Sequence, residues 1–141
     1  MGFLNWFQQQ PSESDSQLDL FNSSQELTKH ERVDGATVYK DFQQSMLDKK
    51  VSAEGRRKAV VAETQELFDC TIDELYEGTG GKKGDRASLP KEAQKAYLVN
   101  ETIATHRIND SECSGSQKQR DDQVVETVRE TAERTRKWFP W

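Results

Sequence analysis

A glycine- and lysine-rich stretch in the middle of the sequence has residue types that could bind an anion. It reads GTGGKKGDRASLP, residues 78–90, and Lys82, Lys83 and Arg86 lie shortly before a predicted helix. Backbone N–H groups at a helix start, joined by a lysine, form a phosphate site. The order of residues is not that of a P-loop, however, and the glycine spacing is not that of a dinucleotide site. We therefore expect a connecting or contact loop and no cofactor.

Basic residues on neighbouring segments extend this loop into a candidate contact surface. If the flanking helices fold as a hairpin, the cations would form one patch that suits phosphate groups or an acidic partner. The net charge of −5 argues against a general nucleic-acid coat. A DNA-associated regulator that uses this patch stays open as the alternative function. The predicted basic patch comprises Arg56, Arg57, Lys58, Lys82, Lys83 and Arg86.

Residues 66–80, ELFDCTIDELYEGTG, resemble the final part of small repressor-type helix-turn-helix domains. In that family a short turn precedes a closing amphipathic helix, and these residues pack the core. The helix that reads the DNA groove lies further upstream. The resemblance therefore assigns no DNA-contacting residue, and the DNA hypothesis depends on the basic patch.

All three tryptophans lie close to one end of the sequence or the other. Aromatic side chains dominate contact energies and are enriched among the residues that carry binding energy. We expect them to anchor a protein partner; the alternative is that they pack on the helical core. The cations in RETAERTRKWFPW would also suit an anionic membrane surface. The predicted partner-binding residues are Phe3, Leu4, Trp6, Phe7, Trp138, Phe139 and Trp141.

No set of side chains forms a recognisable catalytic or metal site. No pair of cysteines or histidines has the C-x-x-C or H-x-x-x-H spacing that aims two donors at one metal. Neighbouring acids such as Asp73 and Glu74 lie among charged residues and are expected to be solvated. Cys70 is expected to be a small buried residue; the alternative is a reactive thiol at a helix start. We expect no metal, no catalytic residue and no enzyme activity.

Composition and spacing predict one small helical domain. With 141 residues, of which 33% are hydrophobic and 32% charged, the chain can bury one modest core. Apolar residues recur at helical spacing, and no segment alternates like a strand. We predict an all-α fold, a small bundle of four to five helices with a flexible N-terminal segment. Residues 1–24 are assigned to an aromatic segment and a disordered polar linker, and residues 25–141 to the helical domain.

Serine, threonine and glycine mark where the helices should begin and end. Ser52 is expected to cap one helix, and Thr71 with Glu74 forms a capping box for the next. Gly35 is expected to loosen or divide the first long helix, because glycine inside a helix costs about 1 kcal/mol relative to alanine. Further signals are a capping box at Ser23–Glu26, a left-handed stop at Gly78 and a cap at Ser88 before Pro90.

The opening MGFLNWF has no feature of an export or lipid-attachment signal, and we expect a cytoplasmic protein. The expected function is that of a non-enzymatic helical interaction or regulatory protein. It would contact its partner through the aromatic ends and the basic Gly/Lys loop. Residues 1–10 would then be a tethered docking peptide, whose deletion should leave helix content and melting temperature nearly unchanged.

Overall fold

The computed structural model of the chain describes residues 2–10 and 29–141, with side chains from residue 34 onward in the second range. Within these ranges there are six α-helices and no strand, which confirms the predicted small all-α bundle. The same ranges contain no helix with the length and apolar character of a membrane span. The predicted linker beyond residue 10 and the box at Ser23–Glu26 lie outside the described residues. The helices are α1 (Phe3–Gln8), α2 (Lys29–Asp48), α3 (Ala53–Phe68), α4 (Ile72–Thr79), α5 (Lys91–Asp110) and α6 (Gln117–Arg136).

Side-chain caps begin three of the helices. Ser52 Oγ accepts a backbone N–H three residues on, at 2.9 Å, where α3 begins. Thr71 and Glu74 form the predicted capping box of α4. Ser116 and Gln119 form another at α6, which has no counterpart among the predicted helix starts. These hydrogen bonds satisfy N–H groups that a helix leaves unpaired in its first turn.

Two glycines behave differently from the sequence-based expectation. α2 runs through Gly35 without a break, because packing of the helix along α5 outweighs the intrinsic glycine penalty of about 1 kcal/mol. α4 continues past Gly78 and ends at Thr79. The left-handed residue that stops it is Gly80, with φ 76°.

The four long helices pack as two parallel pairs that run in opposite directions. α3 lies along α6, and Ser52 Oγ joins the starts of these two helices by donating to Asp121 Oδ2 at 2.5 Å. α2 lies along α5, and Lys49 Nζ joins their ends by donating to the Ser111 carbonyl at 2.8 Å. α5 also packs on α6 and completes the bundle.

The apolar core is divided into two clusters, one toward each end of the bundle. One cluster includes Phe42 and Met46 near the end of α2 and Ile108 near the end of α5. The other includes Phe68 at the end of α3 and Tyr97 in the first half of α5. Burial of such side chains is the main favourable contribution to folding, so each end of the bundle has its own source of stability.

A buried polar layer separates the two apolar clusters. Asn100 Nδ2 donates to Glu63 Oε2 at 2.7 Å, and Thr135 Oγ1 donates to Asn100 Oδ1 at 3.1 Å. All three side chains are buried. The chain of hydrogen bonds connects α3, α5 and α6, and it supplies partners that buried polar groups require.

The first helix packs on the bundle and is not a separate docking peptide. The buried Phe3 ring lies 5.1 Å from the Phe68 ring and 4.6 Å from the Trp141 ring, measured between centroids. Trp141 Nε1 donates to the Leu67 carbonyl at 2.7 Å. Residues 3–8 therefore belong to the helical body. From this packing we expect deletion of residues 1–10 to lower stability, contrary to the expectation from the sequence.

Candidate functional site

The loop between α4 and α5 is folded by its own hydrogen bonds and delivers Arg86 to the bundle. Ser88 Oγ accepts the Lys82 N–H at 2.7 Å and donates to the Asp85 carbonyl at 2.6 Å. Asp85 caps a short 3₁₀ helix, Arg86–Ser88. The prediction that Ser88 caps α5 is wrong, since α5 follows Pro90 and has no side-chain cap.

Arg86 lies between two tyrosine rings and beside two buried acids. Its guanidinium carbon is 3.8 Å from the Tyr97 ring centroid and 4.4 Å from that of Tyr39. Nη1 donates to Glu101 Oε1 at 2.8 Å, and Nη2 lies 3.8 Å from Glu63 Oε1. The exposed fractions of the side chains are 27% for Arg86, 1% for Glu101 and 0% for Glu63. Cation–π contacts and ion pairing both stabilise the guanidinium here.

The two buried acids share one cation, Arg86. Both Glu63 Oε1 and Glu101 Oε2 are buried; Glu63 Oε1 accepts no hydrogen bond from the part of the chain that the structure describes, and Glu101 Oε2 is ion-paired with Arg86 Nη1 at 2.8 Å. They can bond to each other if one carboxyl keeps its proton. Burial first, then the charge of Glu101, raise the pKa of Glu63 well above its ordinary value. Burial also raises the pKa of Glu101, against the effect of Arg86. Because Arg86 lies closer to Glu101, we assign the proton to Glu63.

A cavity of about 490 Å³ opens beside this cluster. Its charged residues are Asp85, Arg86 and Glu101, and its aromatic walls come from three tyrosines, Tyr39, Tyr76 and Tyr97. The volume falls in the range of pockets that hold small organic molecules. The structure therefore places an ionisable cluster next to a space that a ligand could enter.

Three comparisons with known proteins bear on whether this arrangement is shared. No family model matches the chain. The searches of curated proteins and of solved structures gave no match. The functional assignment therefore depends on the chemistry of this chain's own residues.

Arg86 does not belong to an exposed basic patch, because it is paired with the buried acids. The physical reason is that two buried carboxyls need a cation, and Arg86 is the one that reaches them.

The other predicted patch residues lie at the surface, and several have partners there. Lys83 Nζ lies 2.6 Å from Asp73 Oδ1, and Lys58 Nζ lies 3.6 Å from Glu54 Oε1. Arg56 is half-buried and donates to a backbone carbonyl at 3.0 Å. The exposed members are Arg57, Lys58, Lys82 and Lys83.

The predicted aromatic contact residues separate into three groups by exposure. Phe3 and Trp141 are buried in the protein's own core, so the predicted contact role is wrong for these two. Trp138 is 69% exposed. The remaining residues are partly buried against the core; they are Leu4, Trp6, Phe7 and Phe139.

Cys70 is a buried thiol whose surroundings disfavour the thiolate. Burial, together with the charges of Glu74 and Asp69, raises the pKa of its thiol to about 12. The alternative of a reactive thiolate at a helix start is wrong, because the thiol stays protonated at neutral pH. Across the described residues no group of three or more His, Cys, Asp or Glu side chains could hold a metal ion.

Sequence reasoning missed the buried acids, although a signal for them was present. Glu63 lies four residues after Ala59 and four before Leu67, so it occupies the buried stripe of α3. Glu101 occupies the equivalent stripe of α5. A charged residue on an apolar stripe predicts a buried partner, since unpaired charges are almost never fully buried. That the partner is Arg86 depends on the loop conformation.

Proposed function

We propose that this chain is a non-enzymatic helical interaction protein that binds a protein partner through Trp138. The observation that carries the proposal is the 69% exposure of this indole. The other large apolar side chains at the described surface are less exposed, with Leu47 at 46% and Val61 at 48%. Tryptophan is the residue type most enriched among those that dominate interface energies.

The position of Trp138 is fixed by its neighbours. Its backbone N–H donates to the Thr135 carbonyl at 3.0 Å, in the turn that follows α6. Phe139 stacks on the buried Trp141 with ring centroids 5.0 Å apart. A backbone segment held in place before binding loses less entropy on binding, which favours affinity.

Charge near Trp138 favours an acidic partner surface. Arg134 in the last turn of α6 is exposed, as is Lys137 directly before Trp138. Cations around an aromatic contact increase the rate of association with a negatively charged surface.

The proposal predicts that truncating Trp138 abolishes partner capture. We expect wild type and Leu47→Ala, the matched exposed control, to retain the same protein from an extract of the source cells. Trp138→Ala should lose it, since a hot-spot truncation costs about 2 kcal/mol or more, roughly 30-fold in Kd. Its melting temperature should stay near that of wild type, because surface substitutions usually change stability by about 0.5 kcal/mol or less.

Equal capture by Trp138→Ala and wild type would contradict the proposal, as would equal loss with Leu47→Ala. Retention on anionic vesicles in place of a protein would point to a membrane surface as the partner. The basic patch does not favour a DNA-associated role, because Arg86 is paired with Glu101, and Lys58 and Lys83 pair with acids.

A further inference from the structure

The cavity beside Arg86 has the shape and wall chemistry of a small-molecule site. It lies between α2, α3, α4 and α5, with the 3₁₀ helix along one side. Apolar surface comes from Val60, Ile72 and Leu98, and aromatic surface from the tyrosines. Predominantly apolar walls with a few convergent polar groups are typical of ligand sites.

The two buried carboxyls beside the cavity, Glu101 in its wall and Glu63 behind the wall, outnumber their cation by one. Glu63 and Glu101 face a single guanidinium, that of Arg86. α6 contributes the neutral Thr135 to the buried polar layer, where its hydroxyl donates to Asn100 Oδ1. Within the described residues Glu63 Oε1 accepts no hydrogen bond, whereas Glu101 Oε2 is ion-paired with Arg86 Nη1 at 2.8 Å. Buried charges require compensation, so this site needs one more positive charge or one proton.

The tyrosines do not supply or remove that charge. Burial raises the pKa of Tyr97, and burial also raises the pKa of Tyr76, so both phenols are neutral near physiological pH. Tyr97 Oη is already hydrogen-bonded to Thr64 Oγ1 at 2.7 Å. Asp85, which also lines the cavity, adds negative charge.

We propose that the cavity binds a small organic ammonium ion with an apolar body. The ammonium group would lie against Glu101, which lines the cavity, and the proton shared by Glu63 and Glu101 would leave to solvent. Two carboxylates would then face two cations, Arg86 and the ligand, and the site stays neutral. Because Arg86 fills the space between Tyr39 and Tyr97, the ligand body is assigned to the apolar side chains.

An anionic ligand fits the same site poorly. The positive charge of Arg86 is already matched by Glu101 at 2.8 Å. An added anion would leave an unpaired negative charge beside two buried carboxyls, which a low-dielectric site disfavours.

The test uses three probes of similar size on the whole chain: 2-phenylethylamine, 2-phenylethanol and phenylacetate. Isothermal titration calorimetry near neutral pH, in buffers of different ionisation enthalpy, measures affinity and proton release together. We expect the amine to bind at least about ten-fold more tightly than the alcohol or the acid. About one proton per bound amine should be released.

The variant Glu63→Gln removes the excess acid and keeps groups that can bond to Asn100 and Glu101. It should lose the proton release and at least about ten-fold of the amine affinity. Glu66→Gln, on the same helix but at a position that is only partly buried, should bind as wild type does. Trp138→Ala should also bind the amine normally, which separates this proposal from the partner surface.

Three results would overturn the proposal: no amine binding up to millimolar concentration, equal binding of the alcohol, or full amine affinity in a folded Glu63→Gln variant. The comparison of probes on wild type decides the question even if that variant does not fold.

Discussion

Glu63 and Glu101 bring two ionisable acids into the interior next to one guanidinium, and this determines how the protein should respond to pH. Arg86 compensates Glu101 at 2.8 Å, whereas its distance to Glu63 is 3.8 Å. Burial and the charge of Glu101 raise the pKa of Glu63. The folded state therefore binds this proton more tightly than the unfolded state does. The stabilisation that this bound proton gives to the folded state is fully present below the ordinary glutamate pKa of about 4.3. It is lost as pH rises through the higher pKa of the folded state.

Substituting the two acids should have opposite effects at alkaline pH. Glu63→Gln keeps the neutral form, so the free energy of unfolding should exceed that of wild type by a margin that grows with pH. The slope is at most about 1.4 kcal/mol per pH unit. Glu101→Gln removes the closer partner of Arg86 and should destabilise by about 1–3 kcal/mol.

Urea unfolding of both variants and wild type at about pH 5, 7 and 9 measures these differences. Equal effects of the two substitutions would show that the proton is not held mainly by Glu63.

At the scale of the helices, the two glycines inside α2 and α3 have different surroundings. A Cβ atom built on Gly35 has no neighbour within 4 Å. One built on Gly55 would lie 2.6 Å from Asp121 Cγ and 2.8 Å from Val51 Cγ1. Asp121 cannot move away freely, because it accepts hydrogen bonds from the Ser52 backbone and hydroxyl at 2.9 and 2.5 Å.

The same substitution should therefore change stability in opposite directions. Gly35→Ala should stabilise by roughly 1 kcal/mol, raising the melting temperature by about 3 °C, because alanine favours the helix. Gly55→Ala should destabilise by about 1–3 kcal/mol through crowding between α3 and α6. Thermal melts followed by circular dichroism measure both effects. Stabilisation by Gly55→Ala would mean that the starts of α3 and α6 are more loosely joined than the structure shows.

At the scale of the whole molecule, one aromatic cluster joins parts of the chain that are far apart in sequence. Trp141 packs against Phe3 and Trp6 of α1 and against Phe68 at the end of α3. Edge-to-face aromatic pairs add about 0.5–1.5 kcal/mol each beyond the area that they bury. The cluster therefore holds the first helix and the residues after α6 to the same end of the bundle.

Removing the centre of this cluster should destabilise the whole fold. Phe3→Ala should cost about 3–5 kcal/mol, as for other buried phenylalanines. Phe7→Ala, on the same helix but partly exposed, is the matched control and should cost less. The double variant Phe3→Ala/Trp141→Ala should be less destabilised than the sum of the single variants, because the rings are in contact. Chemical denaturation measures the stability of the three single variants, including Trp141→Ala, and of the double variant. A Phe3→Ala protein as stable as wild type would show that α1 is held only weakly.

The elements of this fold could be predicted from the sequence because their signals are local. The cap at Ser52 and the capping box of Thr71 and Glu74 depend on residues three positions apart. The apolar spacing that predicted an all-α bundle is equally local. A short-range pattern reports on the helix that contains it, and it does not report which other helices lie against it.

The positions of the site residues in the fold depend on contacts between segments that are distant in sequence. The sequence around Arg86 is equally compatible with exposure to solvent. Its actual position depends on the packing of α2, α3 and α5, which supply Tyr39, Glu63 and Glu101 around it. Phe3 and Trp141 are aromatic residues near the chain ends, which is typical of contact residues when only neighbouring sequence is considered. They belong to the core because they pack against each other in the folded protein. The sequence by itself determined the helical class and the starts of α3 and α4; tertiary structure decided which charges and rings were buried, since burial depends on the elements packed alongside.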